Sequence, residues 1–142
     1  MKILKVSEYS DLLYESVLKL LPQLDPGAKP PSKEFFQDFL KSESIDLFIA
    51  ESDDHQVAGI LTLAKYPNVT GMKFWIEDVV VDGSFRGKGI GEKLTMAAIE
   101  RAGELGAEEL KLTSRPFRAA ANNLYRKLGF VQYVTNVYKY RF

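Results

Sequence analysis

Arg86-Gly87-Lys88-Gly89-Ile90-Gly91 follows an apolar run over residues 74–81 and precedes a long helical pattern. A strand, a glycine turn and a helix start in that order make a phosphate cradle. Glycine lets the backbone approach an anion closely, successive N–H groups converge on its oxygens, and the helix N-terminus adds positive potential. Arg86 and Lys88 add full charges. Two other phosphate loops do not fit. A Walker A loop sets four residues between its first glycine and Gly-Lys and then needs Ser or Thr, whereas Gly83 is followed by three before Gly87-Lys88, and Gly89 comes next. A dinucleotide fingerprint counted from Gly87 and Gly89 puts Glu92 at its third glycine, where a carboxylate opposes a pyrophosphate.

Outward from the loop, the apolar pattern predicts a helix over residues 89–105 with an inward stripe of Ile90, Leu94, Ala98, Ala102 and Leu105. Gly106 ends it, and alternation over residues 109–113 predicts a strand parallel to the one at 72–81. A further helix is expected over residues 118–128, and alternation over residues 137–142 predicts a last strand, a sheet and core element rather than a base-stacking platform. Upstream, residues 45–51 and 57–65 read as a hairpin around a polar turn. Before it come a short strand at residues 3–6, a helix stopped by Pro22, and a second helix capped by Ser32 that buries Phe35, Phe36 and Phe39. The expected fold is α/β (α+β), with a mixed sheet flanked by helices.

The 142 residues set a length for one domain, expected to span 1–142. Hydrophobic residues make up 46% and charged residues 27%, the composition of a globular protein rather than a disordered one. Nineteen basic side chains balance nineteen acidic ones, so no global field favours nucleic acid. The absence of cysteine excludes disulfides, thiolate metal sites and a cysteine thioester. His55, the one histidine, lies in a polar turn without partners at ligand spacing, so no metal is expected. No membrane span or signal peptide is visible, and a cytoplasmic location is expected, as monomer or homodimer.

Arg86-Gly87-Lys88-Gly89-Ile90-Gly91 resembles the Arg/Gln-x-x-Gly-x-Gly/Ala loop of the GNAT superfamily of N-acetyltransferases, and Asn122-Asn123-Leu124-Tyr125-Arg126-Lys127-Leu128-Gly129-Phe130 is similar to its second cofactor motif. The resemblance implies a mostly antiparallel sheet of six or seven strands with about four helices and a central parallel pair splayed at the cofactor. It implies acetyl-coenzyme A as donor, without metal, and a primary amine of a small molecule, amino-acid derivative or peptide as acceptor. The pyrophosphate falls to residues 86–91, and the amide-rich arm runs along backbone groups of Val79, Val80 and Val81, bonding like an added strand.

In such enzymes a tyrosine at the position of Tyr125 protonates the departing thiolate, an amide side chain at Asn122 bonds the cofactor arm, and the N–H of Val79 faces the developing oxyanion. Tyr125 alternatively serves as a wall residue with its hydroxyl satisfied locally. An ammonium acceptor must lose a proton before attack, a task for Glu77 or, alternatively, Asp78 or water. Strict strand alternation lets only one of the two carboxylates face the acetyl group. Arg115 and Arg118 reach either coenzyme phosphates or solvent. Residues 76–82 with Arg86-Gly87-Lys88 also resemble glucosamine-6-phosphate N-acetyltransferases, which makes an amino-sugar phosphate an alternative acceptor. A non-catalytic acyl-coenzyme A sensor is a second alternative.

Overall fold

A computed structural model describes residues 1–142. Four strands, β1 (Lys2–Lys5), β2 (Ile45–Glu51), β3 (Val57–Asn68) and β4 (Gly71–Val81), form one sheet in the order β1-β2-β3-β4. Helices α1 (Asp11–Leu24) and α2 (Lys33–Lys41) lie between β1 and β2 in the chain, and α3 (Ile90–Glu104) and α4 (Ala119–Lys127) follow β4. Ser10 and Ser32 cap α1 and α2 by accepting from the N–H groups of Leu13 and Phe35. No helix is long and apolar enough to cross a membrane.

Each sheet face carries its own core. On one, Ile90, Leu94, Ala98 and Ala102 of α3 pack against Phe48, Leu61, Leu63, Phe74 and Ile76. On the other, Leu13, Val17 and Leu20 of α1 and Phe36 of α2 pack against Leu47, Ile49, Ile60 and Val80. Leu20, Leu61, Leu63 and Leu94 are fully buried, and truncating any of them to alanine costs about 2–5 kcal/mol.

The expected sheet of six or seven strands with a parallel pair does not form: there are four strands, and every pairing is antiparallel. Residues 109–113 meet β4 at one parallel bridge, where Ile76 N–H donates to the Lys111 carbonyl (2.8 Å) and Lys111 N–H to that of Phe74 (3.0 Å). The β4 bulge begins a few residues beyond it, where ladder pairing is disrupted, and no further pair with residues 109–113 forms. Residues 137–142 alternate in sequence but pair with nothing, and Val137, Tyr138, Tyr140 and Phe142 are exposed. Strand propensity reflects fit onto a half-buried pleated surface, and this segment has no such surface beside it.

Smaller differences have local causes. α1 passes through Pro22 to Leu24, because a proline in the last turn forfeits only one N–H while Asp25 N–H still reaches the Leu21 carbonyl (2.9 Å). In α2 only Phe36 is buried; Phe35, one helical step of about 100° away, points to solvent. Leu105, expected at the end of the α3 stripe, lies past the helix and is exposed.

Candidate active site

Between the pairs Thr62–Glu77 and Ile60–Val80, two residues of β4, Asp78 and Val79, stand opposite one residue of β3. This β-bulge leaves both without a ladder partner. Asp78 takes the left-handed conformation at φ +54°, a region that Asp tolerates because its short side chain bonds locally. Buried Thr62 lies beside its carboxyl. The bulge also reverses the facing of the strand: Phe74 and Ile76 lie in the α3 core, whereas Val80 lies in the α1 core.

As a result Glu77 and Asp78, which strict alternation separates, both line one cavity of about 810 Å³. Burial raises the carboxyl of Glu77 above the ordinary range, and the neighbouring Asp78 charge raises it further. Burial likewise raises Asp78, against a downward pull from the Thr62 hydroxyl. No cation contributes to either shift. Both groups therefore hold protons more tightly than ordinary carboxyls, which strengthens them as bases.

After β4, Asp82 caps a 3-10 turn (Gly83–Phe85) by accepting from the N–H and hydroxyl of Ser84 at 2.8 and 2.6 Å. Gly87 and Gly89 follow at φ +75° and +73°, conformations open to glycine at little cost. A Cβ on either would meet nothing within 4 Å, so space lies open above the loop. Gly89 starts α3 without a side-chain cap, which leaves the first N–H groups of the helix to an outside acceptor. Arg86 lies on the cavity wall and donates from Nε to the Val81 carbonyl (3.2 Å). Bare amides, open space and a guanidinium fit an anionic group at the cavity end formed by Gly87, Gly89, Ile90 and Gly91. Val79, Val80 and Val81 form the adjoining wall. Lys88 is not on that wall; its Nζ lies 5.1 Å from the centroid of the Phe85 ring.

The opposite wall comes from α4. Tyr125 is 9% exposed, its ring edge-on to Phe130 at 5.8 Å. Burial raises its hydroxyl, with Arg118 pulling the other way. The phenolic oxygen is not a sealed, unsatisfied atom, and the side chain lines the cavity. Ala121 and Leu124 share that wall, whereas Asn122 does not: its Nδ2 turns back to the carbonyls of Arg115 (2.9 Å) and Arg118 (2.8 Å), closing the turn before α4. The structure thus gathers Glu77, Asp78, the loop and Tyr125 and leaves Lys88 and Asn122 aside. His55 stands in an exposed turn at φ +58°, its Nδ1 3.0 Å from Glu51.

Three cavity residues escape sequence reasoning altogether: Gln23, Leu24 and Asp25, at the end of α1. Their only signal is a polar residue beside a helix stop, which any helix end provides. Arg118, half-buried, donates to the Leu24 carbonyl at 2.9 Å.

A family profile described as acetyltransferase (GNAT) family matches residues 11–130. N-alpha-acetyltransferase 30 of Schizosaccharomyces pombe is 26% identical over 113 residues, covering 80% of this chain and 75% of that protein. Streptothricin acetyltransferase of Streptomyces lavendulae is 32% identical, covering 72% of this chain and 59% of its own length, so the chain spans only part of some curated relatives. The crystal structure of a Trypanosoma brucei acetyltransferase superposes with a TM-score of 0.79 at 27% identity, covering 99% of both chains. The fold, the glycine loop and the matched profile agree, and the chain belongs to the acetyltransferase (GNAT) family, whose members use an acyl-coenzyme A.

Proposed function

We propose that this enzyme transfers the acetyl group of acetyl-coenzyme A directly to a primary amine of a small molecule, amino-acid derivative or peptide, within one catalytic unit and without a metal. The observation that carries this reading is the convergence of two uncompensated carboxylates, one buried tyrosine and an anion-binding helix start on one cavity. When bound, the coenzyme supplies an activated thioester.

The chain's own residues supply the rest. The uncapped N–H groups at the start of α3, with Arg86, hold the pyrophosphate, and Lys88 adds long-range positive potential from beside Phe85. Backbone groups of the unpaired Val79 and of Val81 present an edge to the amide-rich arm, and the Val79 N–H holds negative charge at the acyl oxygen. Glu77 takes the proton of the incoming ammonium, with Asp78 beside it raising its proton affinity. Tyr125 gives its proton to the departing sulfur from a site screened by Phe130. Asn122 contributes by fixing the turn from which α4 starts.

The test is thiol release from acetyl-coenzyme A against a panel of amino acids, peptides, polyamines and amino-sugar phosphates, with intact-protein mass spectrometry alongside. Turnover with one class of amine and no acetylated enzyme in its absence is the expected result. A kinetically competent acetyl-enzyme overturns direct transfer, and donor binding without turnover on the whole panel favours a binding module.

A further inference from the structure

α1 ends on the cavity without a cation of its own. Its last turn holds no basic residue, and the carbonyl of Leu24, its final residue, is among those with no partner inside the helix. Arg118, ninety-four residues on, meets that carbonyl from Nη2 at 2.9 Å. A guanidinium there satisfies an orphan acceptor and faces the negative end of the helix dipole. The base of the Arg118 side chain is itself held: its N–H donates to the Arg115 carbonyl (3.0 Å), and its carbonyl accepts from the backbone N–H and the Nδ2 of Asn122 (3.0 and 2.8 Å).

The same turn of α1 is tied on its other side. Gln23 donates from Nε2 to Asp82 (3.2 Å) and accepts from the Gly83 N–H (2.8 Å). The end of α1 is therefore stitched by Gln23 to the 3-10 turn that leads into the glycine loop, and to the start of α4 by Arg118. Leu24 and Arg118 line the cavity that holds Glu77 and Tyr125, which places this junction at its mouth.

We propose that Arg118 is a positioning residue that clasps the end of α1 to the start of α4, and that the Gln23, Leu24 and Asp25 side of the cavity, which it holds at a fixed distance from Tyr125, receives the acceptor. The inference rests on the acetyl-transfer reading of the same cavity. Arg118 touches no reacting atom in this account; it acts through Leu24 and the residues that Leu24 carries. Lysine preserves the charge but offers a point donor in place of the planar fork, so it restores the clasp only in part.

The experiment compares wild type, R118Q and R118K by amide hydrogen exchange, by calorimetry with coenzyme A, and by steady-state kinetics with the amine found in the panel. In R118Q, exchange at residues 23–28 should rise about five-fold or more while β2 and β3 stay protected, as expected for a local opening. The acceptor KM should rise about ten-fold, the scale of one lost charge-assisted hydrogen bond, with donor affinity and kcat within about three-fold of wild type. R118K should fall between. Unchanged exchange at residues 23–28 overturns the clasp, as does a rise spread evenly over the sheet. A loss of coenzyme affinity with the acceptor KM unmoved assigns Arg118 to the donor and also overturns it. If wild type turns over no amine, the acetyl-transfer reading fails, and the exchange arm still decides the clasp.

Discussion

Asp46 on β2 and the Glu77–Asp78 pair on β4 are carboxylates of one sheet set in opposite electrostatic surroundings. Asp46 is 8% exposed, and burial pushes its carboxyl up, yet hydrogen bonds from Arg101 (2.9 Å) and Lys65 (3.1 Å), with Lys5 at 3.7 Å, hold it below the ordinary range. Glu77 and Asp78 are exposed to the cavity, and partial desolvation with no cation to answer it raises both. The first arrangement joins β1, β2, β3 and α3 around one anion and acts as structure. The second keeps proton affinity high at the rim of a cavity, where groups that move protons are found. Asp46 is buried among cations and the Glu77–Asp78 pair is open to the cavity without one, and both differences set the two roles apart.

The comparison is tested most forcefully at Asp46. Asp46→Ala leaves Lys5 and Lys65 without an anion and Arg101 with Glu104 alone, and should lower stability by about 3 kcal/mol in urea denaturation, since breaking a buried pair from one side strands charge. Its folded carboxyl lies lower than its unfolded one, so this stabilisation is complete above the unfolded value and lost as pH falls through the folded one. A variant as stable as wild type at pH 7 would remove the structural half of the contrast.

A smaller effect is expected at Tyr125, the buried acid of the cavity. Tyr125→Phe keeps the ring against Phe130 and removes the proton donor, so turnover should fall about ten-fold with donor affinity unchanged by calorimetry. The thiolate leaves readily even unprotonated, which keeps the loss at the low end for proton transfer. The smallest effect reverses the sign seen at Asp46. Glu77 and Asp78 carry raised folded values, so their contribution to stability is present below the unfolded range and lost as pH rises through the folded one. Asp78→Asn should therefore raise the melting temperature at pH 7 by about 1–2 °C, and the gain should vanish below about pH 3, under the unfolded value. A lower melting temperature at pH 7 would show that the pair is not strained.

Much of this was legible in the chain. The limits of β2, the glycine loop and the Ile90, Leu94, Ala98 and Ala102 stripe of α3 follow from local pattern, because a buried helix face or strand repeats with a fixed period. The strands at residues 109–113 and 137–142 were not legible correctly, since alternation reports what a segment could pair and not whether an edge waits for it. The bulge was invisible for a similar reason. Nothing in Ile76-Glu77-Asp78-Val79 marks an extra residue, and only the register against β3 shows that both carboxylates share a cavity. Asn122, expected on the cofactor arm, and Arg118, expected on phosphate or solvent, have carbonyl partners, one of them far along the chain, that appear only once it is folded.

The most direct measurement is the pH dependence of kcat/KM for wild type and Glu77→Gln on the same amine, with folding and donor binding checked in both. Wild type should lose activity as pH falls through the raised value of Glu77. The variant should be about a hundred-fold slower at pH 7 and recover part of the deficit above pH 9, where the acceptor supplies its own free amine. A Glu77→Gln profile that overlays the wild-type curve across that range would contradict the account.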